Sequence, residues 1–481
     1  MHSPARVSLF VATLALMTAA AQPAAAEGLV LKFHETQTIT SMTPNKYQMP
    51  GKKMQMTTDT ATVDNHYVVT LAPDSLSIAV GDNTDLYDFA TKRYYRIQND
   101  KKTFSSYPLH ALPLYRHALK ERTVPDAVNY ETVTQTAIFV KVPTGITQDL
   151  NPISLDLDSI YGSVSDTTTS DIITAATANG KTAFTSKYGA LASFGLSDTA
   201  VPEPLQKTYA RFLSYGPLLH PKVETAMNSG AKVFAALDYA INNHQGKKIA
   251  STWALEGTAP AAEAPKLPTG YTQVYNADAD INGAFVTSQQ PGPTADNFAV
   301  RIQGYVAQSD SMHAVLSLQE MFDSLPKELT DQKKYLTDQV LRAANELETQ
   351  KVQQILTIPQ ITLAAAQKAQ ETLKAAKPRA KDYGYFLDIY RARAIRQELR
   401  LTKMDDKRFT LSVLMDSNAL VANPWLATAY ADLGDAQFEA ADGLFAWTCW
   451  EQAVRLKPDL PAAKVMTMQK AKAEKDFPEY F

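Results

Sequence analysis

A change of hydrophobic period part-way along the chain constrains the fold more than any other feature. Up to about residue 200, short runs rich in β-branched and aromatic residues (63–71, 74–80, 84–89, 93–98 and 102–107) alternate apolar and polar positions. Ala72-Pro73, Gly81-Asp82-Asn83, Ala90-Thr91-Lys92 and Asn99-Asp100-Lys101 separate them as turns. Connections this short join antiparallel neighbours, because parallel strands need crossovers of a dozen residues or more. Further strands are expected at 132–142 and 181–196, with a helix at 108–121 lying on the sheet.

From Val201 apolar residues recur three and four apart, the period of a helix face. Pro202, Pro204 and Pro221 stand where helices start, positions at which a missing N–H costs little. The pattern predicts a helical hairpin over 201–255 (helices at 202–220 and 221–244), then an Ala/Pro-rich linker or exposed loop over 256–270. Strands are expected over 271–308, with 297–306 returning to the sheet. From Ser309 to the end, amphipathic runs rich in helix formers predict an all-helical region over 309–481. The front 27–200 is then the β-rich domain, and the chain is of the α+β class.

Residues 1–26 read as an export signal. Arg6 supplies the positive end, Val7 to Ala21 the apolar stretch, and Ala24-Ala25-Ala26 the small residues before cleavage at Glu27. The apolar stretch falls short of the ~20 residues that span a bilayer, and nothing later is long and uncharged enough to do so. The expected location is periplasmic, with an extracellular one as the alternative. Lys and Arg total 47 against 50 Asp and Glu, net −3. No basic excess exists to hold a nucleic acid. The single cysteine, Cys449, excludes an internal disulfide and a multi-cysteine metal cluster, and its apolar surroundings predict a buried, inert thiol.

The most specific pattern lies at 427–460. Tyr430, Leu433 and Gly434 occur on one segment, and Ala446, Trp450, Ala453 and Pro458 on the next, at the spacing of a 34-residue tetratricopeptide repeat. Gln437 departs from the aromatic usual at its position, with Phe438 beside it. Ser412, Ala419 and Pro424 stand 34 residues before Ala446, Ala453 and Pro458, while Arg400 replaces the glycine of that earlier unit. These residues resemble the tetratricopeptide repeat family. The resemblance implies a helix-pair stack, 461–477 as its polar cap, and a protein or peptide partner held in a concave groove. In that family the groove contacts come from outward positions of the first helix, here Thr428, Ala431, Asp435, Phe438 and Glu439. In the front half, 84–109 resembles the hairpins of lipoprotein-carrier-like curved-sheet proteins. That likeness implies a half-open sheet able to hold a hydrophobic ligand or lipid. The architecture expected is therefore an N-terminal antiparallel β-sheet domain followed by a C-terminal α-helical, tetratricopeptide-like helix stack.

Chemistry-bearing motifs are sparse. Asp278, Asp280, Asn282 and Gly283 match the first half of a calcium-binding loop, but its closing position is Gln289 where a bidentate Glu would stand. A polar turn between strands accounts for the same residues, and no other cofactor is indicated. Asp156 and Asp158 alternate on an expected strand face. Gly180-Lys181-Thr182 lacks the upstream glycine of a phosphate loop, and Ser324–Lys327 matches S-x-x-K without companion motifs. His110 and His117 could share one helix face. The function expected is a non-catalytic binding or scaffold role, with an exported hydrolase assembled only in the fold as the alternative.

Overall fold

The computed structural model describes residues 28–44, 56–112, 174–186, 189–217, 219, 221–242, 247–330, 347–402, 408–439 and 442–481. The expected signal at 1–26, most of the helix at 108–121, the strand at 132–142, Asp156, Asp158 and His117 lie outside these residues.

The front half is one twelve-stranded sheet. In chain order its strands are β1 (Gly28–Pro44), β2 (Met56–Ala72), β3 (Ser75–Val80), β4 (Asn83–Asp88), β5 (Arg93–Gln98), β6 (Thr103–Pro108), β7 (Thr174–Ala178), β8 (Lys181–Ser186), β9 (Gly189–Ala200), β10 (Lys232–Asn242), β11 (Lys247–Ala261) and β12 (Thr272–Gln273). Their spatial order is β12-β6-β5-β4-β3-β2-β1-β11-β10-β9-β8-β7. Every pairing is antiparallel except that of β12 with β6. The turn chemistry is as local sequence dictates: Asn179 and Gly180 both carry positive φ (52° and 75°) between β7 and β8, the conformation a two-residue hairpin loop needs.

Alternation sends Leu31 and Phe33 of β1, Val69 and Leu71 of β2 and Leu76 of β3 into one core. Two helices, α1 (Gln206–Tyr215) and α2 (Pro221–Asn228), cover that face with Tyr209, Phe212, Leu213, Val223 and Met227. The Phe33 ring stacks on Phe234 at 4.5 Å and on Phe212 at 5.8 Å. Around these residues the apolar face of the sheet is occupied by the chain's own side chains.

Three expectations change here. The helix expected to run to 244 stops at Asn228, and 232–242 is β10. Gly230 and the positive φ of Ala231 (45°) break the helix. β10 carries two register shifts against β9, at 232/234 and 234/236, and such irregularities let apolar residues at a helix-like spacing face one side of a strand. The linker expected at 256–270 begins inside β11, which runs to Ala261; Pro260 is tolerated there because β10 pairs only as far as Ala254. The strands expected over 271–308 reduce to β12, followed by two helices, α3 (Ala279–Ser288) and α4 (Ala295–Ala307). A capping box between Thr294 and Asn297 starts α4, and Phe298 and Ile302, one turn apart, are its buried residues.

The back half is helical throughout the described residues: α5 (Ser311–Ser324), α6 (Leu347–Thr357), α7 (Leu363–Ala380), α8 (Gly384–Thr402), α9 (Arg408–Ala422), α10 (Ala427–Glu439), α11 (Gly443–Leu456) and α12 (Pro461–Asp476). The fold is α+β, a large antiparallel sheet followed by a helical stack. In the last pair, α10 and α11 meet closely because Gly434 has no side chain. A Cβ there would stand 2.4 Å from Trp450 Cδ1 and 2.5 Å from its Nε1. Cys449 is wholly buried on α11, and burial pushes its thiol well above the ordinary range.

The stack is fastened to the sheet. Trp447 and Trp450 of α11, Met466 of α12 and Tyr480 belong to the same core as Leu31 and Phe33. Arg93 pairs with Glu451 at 2.8 Å, and Glu474 takes both Lys92 at 2.6 Å and His110 at 2.8 Å. Among the described residues no helix is long and apolar enough to cross a membrane.

Candidate functional site

The helices expected to open the two 34-residue units, α8 and α10, stand side by side. The end of α6 and its connection to α7 (355–361) lie against them and close a cavity of about 370 Å³. Its apolar wall is Ile355, Leu356, Ile358 and Ile361, of which Ile358 and Ile361 are 58% and 75% exposed. Its polar wall is a ridge on α8, Arg393, Gln397 and Arg400, at the spacing that places residues on one helix face. Asp432 and Asp435 of α10 face that ridge.

Ion pairs hold the ridge in position. Arg393 Nε donates to Asp432 Oδ2 at 2.7 Å while its guanidinium lies over the Tyr390 ring, 4.5 Å from the centroid. Arg400 is bound by Glu439. Beneath them Arg396 is buried between Asp416, to which it donates, and Asp432 at 3.7 Å. Asp416 is fully buried and its Oδ1 has no partner. Burial pushes its carboxyl up to about 7, against the downward pull of Arg396. Tyr390 donates to buried Asp323, whose carboxyl burial also raises. Titratable groups perturbed by burial beside a cavity are a mark of functional sites, although structural networks share it.

The five groove positions read from the repeat pattern separate. Asp435 lines the cavity and accepts from Trp450 Nε1 at 3.0 Å. Glu439 holds Arg400 at the rim. Ala431 packs on the core of the stack, and the Thr428 hydroxyl has no partner. Phe438 packs on Trp450, ring centres 5.4 Å apart, as part of the sheet-side core. The residues that form most of the cavity were not singled out by sequence, yet the 34-residue spacing points at two of them. Counting back from Thr428 and Ala431 reaches Ala394 and Gln397, both of which line it.

The calcium-like residues start a helix, which corrects the expected turn between strands. Asp278 caps α3, its Oδ1 accepting from Asp280 N at 2.9 Å and Ile281 N at 3.1 Å. Asn282 Oδ1 accepts from Tyr275 N at 2.8 Å. Asp280 is exposed. Among the described residues no three His, Cys, Asp or Glu side chains are grouped so as to hold a metal ion.

Two His–carboxylate pairs on the sheet are open to solvent, His34 with Asp64 at 3.3 Å and His66 with Glu256 at 3.4 Å, whereas the pair in the helical stack is covered. His313 Nδ1 lies 2.8 Å from Asp310 Oδ2, but its side chain is 8% exposed. Ser317, one turn on, is wholly buried with its hydroxyl engaged by Tyr383.

No protein-family model matches the chain, and no curated protein sequence matches it. A solved structure of lipovitellin, described for its lipid–protein interactions, aligns over 89% of this chain at 11% identity and a TM-score of 0.20. The alignment covers 53% of the lipovitellin chain, so this chain spans about half of that protein's length.

Proposed function

We propose that this is an exported, periplasmic, non-catalytic binding protein whose helical stack takes an extended peptide segment of a partner protein. The observation that carries the reading is the cavity between 355–361, α8 and α10, with exposed isoleucines on one wall and a ridge of donors on the other. That pairing suits a peptide presenting an aliphatic side chain next to an acidic one: the side chain seats between Ile358 and Ile361, and guanidinium N–H groups not used by Asp432 or Glu439 meet the carboxylate and backbone carbonyls. The tetratricopeptide-like arrangement of α8 to α11 supports it, since the cavity opens on the first helices of the two units. Export is supported by the composition of residues 1–26 alone, and sequencing the N-terminus of the chain recovered from a periplasmic extract tests it: Glu27 is expected first.

Selection of random displayed peptides on the immobilised full chain tests the binding reading. Sequences joining an aliphatic to an acidic residue should enrich on the wild type and be lost on Ile361→Asp and Arg400→Ala, both surface substitutions. No enrichment, or equal enrichment on the variants, sinks the reading.

A further inference from the structure

Arg211 stands in the middle of α1 and is 4% exposed. Among the described residues no carboxylate forms an ion pair with it, and its Nε has no acceptor. Its guanidinium lies over the Phe89 ring, 3.9 Å from the centroid. Such a contact offsets only part of the cost of burying a cation without its partner. Burial holds its pKa below the ordinary value, and Asp74 and Tyr215 act on it only through space. Lys207, one turn earlier on the same helix, adds a second positive charge, which desolvation first and Arg211 second disfavour. A methionine would fill the same space without that cost, and among the described residues no carboxylate pairs with the charge, which leaves it able to take an anion.

The local frame is rigid. Thr208 Oγ1, between the two cations, donates to Ala72 O at 2.8 Å and Pro73 O at 3.1 Å, which ties α1 to the turn from β2 into β3. Phe89 N donates to Asp74 O at 2.9 Å across the same turn. The guanidinium is therefore presented in one place, and its planar donors suit two oxygens of one group. We propose that Arg211 and Lys207 form a binding site for a single oxyanion, a phosphate or carboxylate, at the turn between β2 and β3. The anion is either free in solution or the headgroup of an anionic lipid. Tyr87, Phe89, Tyr215 and Tyr480 form the aromatic cluster beside the site.

Calorimetric titration of the full chain with inorganic phosphate, and separately with dihexanoyl phosphatidic acid kept monomeric, tests the site at constant ionic strength. One saturable site is expected. Comparable affinities for the two titrants identify a free oxyanion, and binding of the lipid about tenfold tighter or more identifies a headgroup. Arg211→Met should lower the affinity about tenfold or more, as loss of a charge-assisted pair does, and should raise the unfolding midpoint measured without anion. Lys207→Gln, on an exposed residue, should lower it about two- to fivefold and leave the midpoint unchanged. If Arg211→Met does not fold, Lys207→Gln decides. The proposal is overturned if neither titrant binds the wild type at millimolar concentration, or if both variants bind like the wild type.

Discussion

Replacing Gly434 by alanine separates a packed helix pair from one that merely follows a pattern. On helix propensity alone the change should stabilise the chain by about 1 kcal/mol, because alanine costs less backbone entropy than glycine. In the structure the new methyl would stand 2.4 Å from Trp450 Cδ1, 2.5 Å from Trp450 Nε1 and 3.1 Å from Ala446 O. The indole is boxed in: it meets Trp447 edge-on at 5.7 Å, packs on Phe438 at 5.4 Å and donates to Asp435. Forcing an extra methyl into such a place costs about 1–3 kcal/mol, and a displaced indole loses a hydrogen bond worth about 1 kcal/mol. Against the propensity gain the net is about 2 kcal/mol of destabilisation, read as a lower urea midpoint by circular dichroism. Trp450→Phe in the same chain should cancel most of it, because the smaller ring leaves room for the methyl. A neutral or stabilised Gly434→Ala would refute the close approach of α10 and α11.

Three further outcomes follow from the same contacts. Asp416 has a folded-state pKa raised to about 7, so its contribution to stability is complete below the unfolded value near 4 and is lost as pH rises toward 7; denaturation midpoints across pH 4.5–7.5 should carry that downward component, and Asp416→Asn should lack it. Because the Asp278 carboxylate already accepts two backbone N–H groups, millimolar calcium or a chelator should leave the melting temperature unchanged, and a calcium-dependent rise abolished in Asp280→Ala would contradict this. Trp447→Ala empties a fully buried site shared by stack and sheet and should cost about 3–5 kcal/mol, whereas Ile361→Asp, three-quarters exposed, should stay within about 0.5 kcal/mol; equal losses by denaturation would remove Trp447 from the common core.

How far the fold was legible follows the range of the interactions that set it. The strands between 63 and 107 could be read because alternation and turn residues are local signals, and the structure places β2 to β6 there. β10 was hidden because Phe234 and Leu237 stand three apart, a spacing that suits a helix, and only the register shift between 234 and 236 lets a strand turn both to the core. The sequence over 271–308 reads as strands about a polar turn, although Asp278 and the Thr294–Asn297 pair are helix-start signals. Gly434 and Trp450 could be paired from the repeat pattern because one helix hairpin brings them together. The cavity could not be read that way: its isoleucines come from the end of α6 and the connection after it, outside the 34-residue pattern, and only tertiary packing sets 355–361 against α8. Arg211 was equally silent, since a buried charge looks like any arginine until its neighbours are known.

Hydrogen exchange on the full chain, with and without a peptide enriched by selection, tests the central claim most directly. Binding in the stack should slow exchange at 355–361 and along 390–400, leave the sheet strands unchanged, and lose its effect in Ile361→Asp. Protection confined to the sheet, or unaltered by that substitution, would contradict the peptide-binding role of the helical stack.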